Sequence, residues 1–186
     1  MKKSLGARTL AYCLPVYIVG SYGEEDKPNL MNAAWGGMCC SKPPLIAVSL
    51  QRVRQSYDNI INRQAFTINI PSVKYVKEAD YVGVYSGRDE NKFESLGLTP
   101  MKSESVDAPY VLEFPVSLHC ELFQTVELGS HVQFIGEIKD VLIDDDCLDR
   151  AGSPDISLID PFIYDNGSRA YHKIGDRISG AYLKQK

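Results

Sequence analysis

The segment that decides the fold is Val116-Ser117-Leu118-His119-Cys120-Glu121-Leu122-Phe123, in which apolar residues alternate with a more polar set. A period of two residues is typical of a β-strand that turns one face to a hydrophobic core. After a turn around Gly129 the same period returns from Val132 to Ile143, and Asp144-Asp145-Asp146 ends it. The two segments predict a hairpin of long antiparallel strands.

Two shorter segments upstream, Leu45–Leu50 and Ala65–Ile70, are compact apolar runs rich in β-forming residues. The first follows Pro43-Pro44 and the second ends at Pro71, as expected for buried strands bounded by proline. Several strands joined by turns, with few helical segments, favour a mainly β protein. We therefore expect an antiparallel, closed or partly closed barrel with a few peripheral helices, and not a doubly wound parallel sheet.

Three short segments predict the peripheral helices. Ser56–Asn62 begins with a good N-cap residue, Ser72–Val82 forms a second helical stretch, and Asp89–Leu96 stops before Gly97, a usual C-terminal glycine. The chain from Ser153 to Lys186 is irregular and rich in Gly, Pro and Tyr. We expect this tail to pack over a site or a neighbouring subunit.

Length and composition limit the class of protein. The 186 residues correspond to one domain, residues 1–186, and 44% hydrophobic with 24% charged residues is ordinary for a globular protein. A formal net charge of −4 argues against a general nucleic-acid binder. No segment approaches the roughly 20 apolar residues that span a bilayer. We expect no membrane segment.

The five cysteines also limit the class. They are an odd set without a C-x-x-C pair, so they predict neither a disulfide framework nor a zinc site. This pattern fits a reducing compartment, and we expect a cytoplasmic protein.

One candidate binding site is the junction Ser49–Tyr57, where a strand leads into a helix. Arg52 and Arg54 precede Ser56, and the free N–H groups of a first helical turn, its dipole and a serine hydroxyl together suit a phosphate dianion. The alternative is a capped surface helix with solvated arginines.

A second candidate is the segment Asn29–Cys40. It combines amide side chains, the single tryptophan, Trp35, and the pair Gly36-Gly37, which allows close backbone approach. A flat aromatic ligand could rest there, although Trp35 could equally be a core residue. Aromatic stacking contributes only about 0.5–1.5 kcal/mol beyond burial, so the affinity would come mainly from phosphate and polar contacts.

Other residues with reactive side chains give weaker signals. Cys39 and Cys40 could be redox active, but two small residues on opposite sides of a strand are the simpler interpretation. His119 and Cys120 are strand neighbours that point to opposite faces, so they do not form a nucleophile and base pair. The three aspartates from Asp144 and the histidines lack metal-ligand spacing. We expect no metal site.

Several motifs occur in an order that is more specific than any one of them: Asn29-x-Met31-x-x-x-Trp35, Pro43-Pro44-Leu45-Ile46-Ala47-Val48-Ser49-Leu50, Ser56-Tyr57, Gly87-x-x-x-x-Lys92-Phe93, Gly129-Ser130-His131 with Gly136-Glu137, and Tyr164, Tyr171 and Gly175. With this order the chain resembles the flavin reductase-like, FMN-binding split-barrel family over nearly its whole length. Within that family it is most similar to the flavoredoxins. The resemblance implies an antiparallel Greek-key split β-barrel.

The resemblance also implies noncovalent FMN at a homodimer interface. Asn29 and the segment Asn32–Trp35 would contact the isoalloxazine and ribityl chain, and Ser56 and Lys92 would hold the phosphate. His131 would lie near the flavin and could tune it. The full set of implied cofactor-binding residues is Asn29, Met31, Asn32, Ala33, Ala34, Trp35, Ser49, Leu50, Gln51, Ser56, Tyr57, Lys92, His131 and Tyr164, the last contributed across the dimer interface.

The function implied by the resemblance is electron transfer through FMN, with the flavin and no catalytic side chain performing the chemistry. The electron donor would be NAD(P)H or a redox protein. Two alternatives stay open at this point. One is an NAD(P)H-dependent flavin reductase that supplies reduced flavin to a partner enzyme, and the other is a non-catalytic flavin-binding module.

Overall fold

The computed structural model describes residues 1–181. Within this range the strands are β1 (Leu14–Pro15), β2 (Tyr17–Tyr22), β3 (Pro28–Ala33), β4 (Gly36–Ser41), β5 (Pro44–Leu50), β6 (Ala65–Ile70), β7 (Pro100–Lys102), β8 (Pro109–Val111), β9 (Val116–Leu128), β10 (His131–Ile143), β11 (Phe162–Asp165) and β12 (Ala170–Lys173). The α-helices are α1 (Gln55–Arg63), α2 (Val76–Val84), α3 (Lys92–Leu96) and α4 (Ile156–Ile159).

The main sheet has seven antiparallel strands in the order β3-β2-β6-β9-β10-β5-β4. The predicted long hairpin, β9 and β10, lies near its middle, and Gly129 makes the turn with a φ of +76°. The chain passes from β5 on one side of this hairpin through α1 to β6 on the other side. This crossing gives the sheet its Greek-key connection.

The sheet curls around one hydrophobic cluster. Val19 and Ala33, near one end of the strand order, share this cluster with Val48 near the other end, and with Phe66 and Phe134 between them. Strands β3 and β5 contact each other directly, although four strands lie between them in the order of the sheet. The predicted antiparallel barrel is therefore confirmed.

Close packing inside the barrel depends on a glycine. A Cβ atom on Gly136 of β10 would lie 2.6 Å from Cζ of Phe66 and 2.8 Å from Cβ of Cys120. Real Cβ contacts are longer, so any side chain at this position would displace the Phe66 ring. Gly136 thereby allows the ring to fill the centre of the barrel.

A second hydrophobic cluster lies outside the barrel. It packs Ile18 and Leu30 of β2 and β3 against Ala79 and Val82 of α2 and Phe93 of α3. This packing holds α2 and α3 beside β3, the last strand of the sheet. The same cluster includes Phe162 of β11, so the C-terminal hairpin also belongs to this layer.

The predicted helices exist, but their starts differ from the prediction. Helix α1 begins at Gln55 with Arg54 at the N-cap position, so the expected N-cap role of Ser56 is wrong. Ser56 lies in the first turn and is buried. In the second segment Val73–Tyr75 is a 3₁₀ turn that precedes α2. Helix α3 begins only at Lys92 and ends at Leu96, before Gly97 as predicted.

The tail is more regular than its composition predicted. Strand β11 pairs with both β1 and β12, and α4 precedes this small sheet. Tyr164 and Tyr171 of the two strands pack against the second cluster. Residues 182–186 of the predicted tail lie outside the described residues. No helix within residues 1–181 is long and apolar enough to cross a membrane.

The outer face of β9 is polar and nevertheless buried. Ser117 and His119 lie on this face, and the small β7–β8 sheet brings Ser103 and Tyr110 to it. Nδ1 of His119 lies 2.7 Å from Oγ of Ser103, and the Tyr110 ring centroid lies 5.2 Å from that of the imidazole. Burial lowers the pKa of His119 from its ordinary value.

The depressed pKa of His119 should make folding stability depend on pH. Because the unfolded chain takes up a proton near pH 6.5 and the folded chain resists it, this stability is present above pH 6.5 and is lost as the pH falls below it. The loss should approach at most about 1.4 kcal/mol per pH unit. Urea unfolding of wild type and His119→Gln between pH 5 and 8 measures it. The variant should show the shallower slope, and parallel slopes would contradict the argument.

Candidate functional site

The site forms along the free edge of β3. This strand pairs with β2 on one side and faces α2 and α3 on the other. The ammonium group of Lys92 donates a hydrogen bond to the main-chain oxygen of Leu30, so the Leu30 carbonyl points to the free edge. In an antiparallel strand the next residue but one presents its N–H and C=O on the same side. Main-chain groups of Asn32 therefore also face this edge.

Three clefts follow β3 in the order of its residues. The first cleft, of about 730 Å³, begins at Pro28 and is lined among others by Tyr22, Asn29, Gln55, Asn62, Gly87 and Arg88. The middle cleft is narrow and its lining includes Asn29, Arg54, Ser56, Ser86, Gly87 and Lys92. The third cleft, of about 320 Å³, is formed by Asn32, Ala34, Asp80, Tyr164, Arg169 and Tyr171 with their neighbours.

The middle cleft contains a buried cation. Only 3% of Lys92 is exposed, and its Nζ donates to the main-chain oxygens of Leu30 and Val82, each at 2.8 Å. Burial, with the nearby charge of Arg54, lowers the pKa of Lys92 to about 8. An ammonium group has three N–H donors, so one remains for a ligand. A cleft with two cationic side chains and a spare donor suits an anion.

Asn29 and Ser56 form the opposite side of the middle cleft. Nδ2 of Asn29 donates to Oγ of Ser56 at 2.9 Å, which leaves the Ser56 hydroxyl hydrogen free to donate. Oδ1 of Asn29 is buried and has no hydrogen-bond partner within residues 1–181. A buried acceptor without a partner is costly, and a ligand hydroxyl is the kind of group that would satisfy it.

Gly87 fixes the position of Asn29. A Cβ atom at residue 87 would lie 1.9 Å from Oδ1 of Asn29, so no side chain fits there. The segment between α2 and α3 can therefore pass directly over β3. This close approach brings Ser86 and Lys92 to the same cleft as Asn29.

The third cleft is walled by aromatic and amide groups. Nδ2 of Asn32 donates to the main-chain oxygen of Ala79 at 2.8 Å, and the Tyr171 hydroxyl donates to Oδ1 of Asp80 at 3.0 Å. Burial and the adjacent Asp80 carboxylate raise the pKa of Tyr171. Tyr164 lies beside Tyr171, with ring centroids 5.5 Å apart. The C-terminal hairpin thus covers the third cleft with aromatic and polar groups.

Trp35 lies just beyond the end of β3. It is half-buried and belongs to neither hydrophobic cluster, so the alternative of a core tryptophan is wrong. Its main-chain oxygen accepts a hydrogen bond from the N–H of Ser49 at 2.8 Å. This bond joins the two candidate binding segments, Asn29–Cys40 and Ser49–Tyr57.

His131 and Gln51 lie near the end of β5. Val132 is the register partner of Leu50, so His131 flanks the residue that follows β5, the exposed Gln51. Nδ1 of His131 lies 2.9 Å from Oγ of Ser130. The structure thus gives both residues accessible positions outside the three clefts.

Three predicted site residues turn their side chains elsewhere. Ala33 and Leu50 belong to the barrel core, because side chains alternate along a strand, so only their main-chain groups could contact a ligand. The ring of Tyr57 faces Phe134, at 5.5 Å between centroids, and its hydroxyl accepts from Arg52. Contact of these three residues with the cofactor stays a prediction, and it would involve their main-chain groups.

The structure separates His119 from Cys120 as expected, but it does not show the expected alternation at Cys39 and Cys40. Cys120 lies in the barrel core, where burial raises its pKa to about 12, while His119 lies on the outer face, so the two are separated as predicted. Around Cys39 and Cys40 a β-bulge disrupts the register, so the simple alternation expected for them does not hold. Among residues 1–181 no group of three or more His, Cys, Asp or Glu side chains is placed to hold a metal ion.

Part of the cleft lining was not predicted from the sequence. Tyr85 and Ser86 of the middle cleft and Asp80 and Arg169 of the third cleft carry no local signal in the sequence. The one available signal was Gly87, which stood in the ordered motifs without an assigned role. Its meaning depends on contact with Asn29, which is 58 residues away in the chain.

The fold and the clefts define a flavin reductase-like split-barrel protein, and the comparisons agree. The family described as "Flavin reductase like domain" matches residues 9–174, so the chain belongs to this family. The structure is similar to flavoredoxin of Desulfovibrio vulgaris (Miyazaki F), with 53% identity, 98% of each chain covered and a TM-score of 0.94.

Two further proteins are similar to this chain. Flavoredoxin from Methanosarcina acetivorans is 27% identical, with 98% of this chain and 96% of that chain covered and a TM-score of 0.91. A protein of Archaeoglobus fulgidus is 34% identical over 146 residues, 78% of this chain and 80% of its own length. The predicted split barrel and the predicted resemblance to the flavoredoxins are confirmed by these comparisons.

Proposed function

We propose that this protein binds FMN and transfers electrons through it in the manner of a flavoredoxin. The observation that carries the proposal is the buried Lys92 ammonium in the middle of the β3 edge. It lies with Arg54 and Ser56 and has no carboxylate at salt-bridge distance among residues 1–181. A phosphate dianion supplies the missing charge and accepts the spare donors. The 53% identity to a flavoredoxin supports the same conclusion.

The remaining residues of the edge fit the rest of FMN. The unpartnered Oδ1 of Asn29 would accept from a ribityl hydroxyl, and main-chain groups of Asn32 and Ala34 would contact the isoalloxazine. Bound FMN supplies reversible uptake of electrons, and the chain binds and orients it. A role for His131 in tuning the flavin potential stays a prediction from the family resemblance.

The phosphate contact can be tested with Lys92→Met. The variant should bind FMN about 10- to 100-fold more weakly, since a hydrogen bond to a charged group contributes about 1.5–3 kcal/mol. Riboflavin, which lacks the phosphate, should bind wild type and variant within about threefold. Fluorescence titration of apoprotein measures both affinities. An equal loss for the two flavins would show that Lys92 does not hold the phosphate.

The same titration repeated across pH tests the charge of Lys92. Free Lys92 loses its proton near pH 8, so FMN affinity of wild type should fall as the pH rises above 8. Lys92→Met should lack this fall, and Ser56→Ala, which costs about 1 kcal/mol through a lost hydrogen bond, should retain it. If neither flavin binds wild type at any pH, the proposed function is wrong.

We also propose that the protein is a two-fold homodimer. Phe123 and Leu128 of β9 are 55% and 53% exposed, and Val53 at the β5–α1 junction is 73% exposed. These apolar side chains lie on β9 and at the end of β5, and Leu128 is the register partner of His131, so a second copy that covered them would approach His131. The partner would then also approach the flavin.

Sedimentation velocity of wild type, Phe123→Lys and Leu158→Lys tests the dimer. Phe123→Lys should shift the protein toward monomer and lower its FMN content, because it places a charge on the proposed interface. Leu158→Lys is the matched control, since Leu158 of α4 is also half-exposed but lies elsewhere. A wild-type monomer at micromolar concentration with full FMN occupancy would contradict the proposal.

The electron donor decides between the flavoredoxin type and a flavin reductase. We expect a low-potential redox protein to reduce the FMN faster than NADH or NADPH, because the close relatives in structure are flavoredoxins. Anaerobic reduction of the holoprotein with the three donors in parallel, followed by flavin absorbance, measures the rates. Fast reduction by NADH or NADPH, followed by release of reduced flavin, would favour the flavin reductase.

A further inference from the structure

The side-chain nitrogen of Lys92 has one free direction. Its Nζ is bonded to Cε and donates to the main-chain oxygens of Leu30 and Val82, each at 2.8 Å. A tetrahedral nitrogen then has one position left, which holds a proton in the ammonium form and the lone pair in the neutral amine. In the described part of the chain Lys92 lines the middle cleft and Leu30 and Val82 do not, so the free position faces the cleft.

Burial limits which reagents can reach this nitrogen. Lys92 is 3% exposed, and Arg54, Ser56 and Ser86 are among the residues that border the narrow middle cleft. A modifying enzyme or a bulky acyl donor cannot bring a reacting carbon to a side chain so enclosed. A small reagent that the cleft itself binds can, because binding holds the two reacting groups together.

The charge state of Lys92 favours reaction in the apoprotein. Burial and the charge of Arg54 lower its pKa to about 8. Roughly a quarter of the molecules then carry the neutral amine at pH 7.5, compared with about 0.1% for a lysine of ordinary pKa. The neutral amine is the nucleophilic form. A phosphate dianion in the cleft favours the ammonium form, so bound FMN protects the side chain.

We propose that Lys92 is a site of acylation by small acyl phosphates, and that this modification blocks FMN binding. The inference rests on the anion site of the proposed function. In an acyl phosphate a phosphate dianion and an activated carbonyl carbon are joined through one oxygen. The phosphate takes the place of the FMN phosphate beside Arg54 and Ser56, which brings the carbonyl carbon to the free position on Nζ.

The reaction is an acyl transfer that needs no further reactant. The lone pair of Nζ attacks the carbonyl carbon, a C–N bond forms, and the C–O bond to the phosphate breaks. The proton that leaves Nζ goes to the departing phosphate, so an amine and an acyl phosphate give an amide and hydrogen phosphate. The free hydroxyl hydrogen of Ser56 and the Arg54 guanidinium stabilise the negative charge of the phosphate.

Acylation changes both the charge and the hydrogen bonds of the middle cleft. The amide nitrogen is neutral and carries one N–H, so it donates to Leu30 or to Val82 but not to both. The lost hydrogen bond weakens the connection between β3 and α2. The acyl group also occupies the position of the FMN phosphate. Acylated protein therefore lacks both the charge and the space that the phosphate needs.

The test follows acetylation of the apoprotein by acetyl phosphate with peptide mass spectrometry. Lys77 of α2 and Lys102 of β7 are exposed and serve as references within the same chain. Lys92 should react about tenfold faster than either reference, because its amine is more often neutral and the reagent is bound beside it. Saturating FMN or sulfate should protect Lys92 and leave the references unchanged. Reaction of Lys92 no faster than the references would overturn the proposal.

An uncharged acetyl donor and two arginine variants test whether the phosphate directs the reaction. With N-acetoxysuccinimide, Lys92 should react more slowly than both references, because phosphate binding no longer offsets its burial. Arg54→Gln removes a phosphate contact, so it should slow acetylation of Lys92 about tenfold with acetyl phosphate and much less with the uncharged donor. Arg150→Gln, at an exposed position outside the three clefts, should leave both rates unchanged. Preferential reaction of Lys92 with both donors would overturn the proposed phosphate anchor.

The effect on the site is measured by FMN titration of apoprotein before and after acetylation. Wild type with acetylated Lys92 should bind FMN about 10- to 100-fold more weakly, as expected for loss of a hydrogen bond to a charged group. Lys92→Arg keeps a cation and has no amine to acylate, so the same treatment should not change the FMN affinity of this variant. An equal loss in both proteins would assign the effect to other lysines and overturn the proposed block at Lys92.

The outcomes separate this inference from the proposed function. Unmodified wild type that binds FMN but shows no preferential acetylation of Lys92 overturns the inference and leaves the FMN function intact. Preferential acetylation of Lys92 in a protein that binds no flavin overturns the FMN function and retains the acylation site. Preferential acetylation that FMN prevents, and that weakens FMN binding in turn, supports both.

Discussion

The site depends on one buried ammonium group. Lys92 is the first residue of α3, and its two hydrogen bonds reach β3 at Leu30 and the last turn of α2 at Val82. One side chain therefore fixes the distance between the edge strand and both helices. A buried cation without a carboxylate is costly, and the lowered pKa of Lys92 expresses that cost. An anion in the middle cleft offsets the cost, so the same group that joins the elements also selects the ligand.

The local charge of the cleft outweighs the charge of the whole chain. The net charge of −4 would repel a phosphate at long range, but at physiological ionic strength this repulsion is screened within about 8 Å. Arg54 and Lys92 act at contact distance and in a partly buried space, where screening is much weaker. Composition correctly argues against binding of extended polyanions, and it does not argue against a single phosphate.

The parts of the structure that the sequence predicted are those that depend on neighbours in the chain. The hairpin from Val116 to Ile143 follows from alternation, and the strand Ala65–Ile70 follows from a compact apolar run that ends at Pro71. The observed bounds agree closely. The N-cap assignment of Ser56 failed because the hydroxyl is used by Asn29, which is 27 residues away. The alternation that predicted the strands also explains why Ala33 and Leu50, named as parts of continuous segments, face the core. The tail was misjudged because β11 is stabilised by pairing with β1, a contact between opposite ends of the chain.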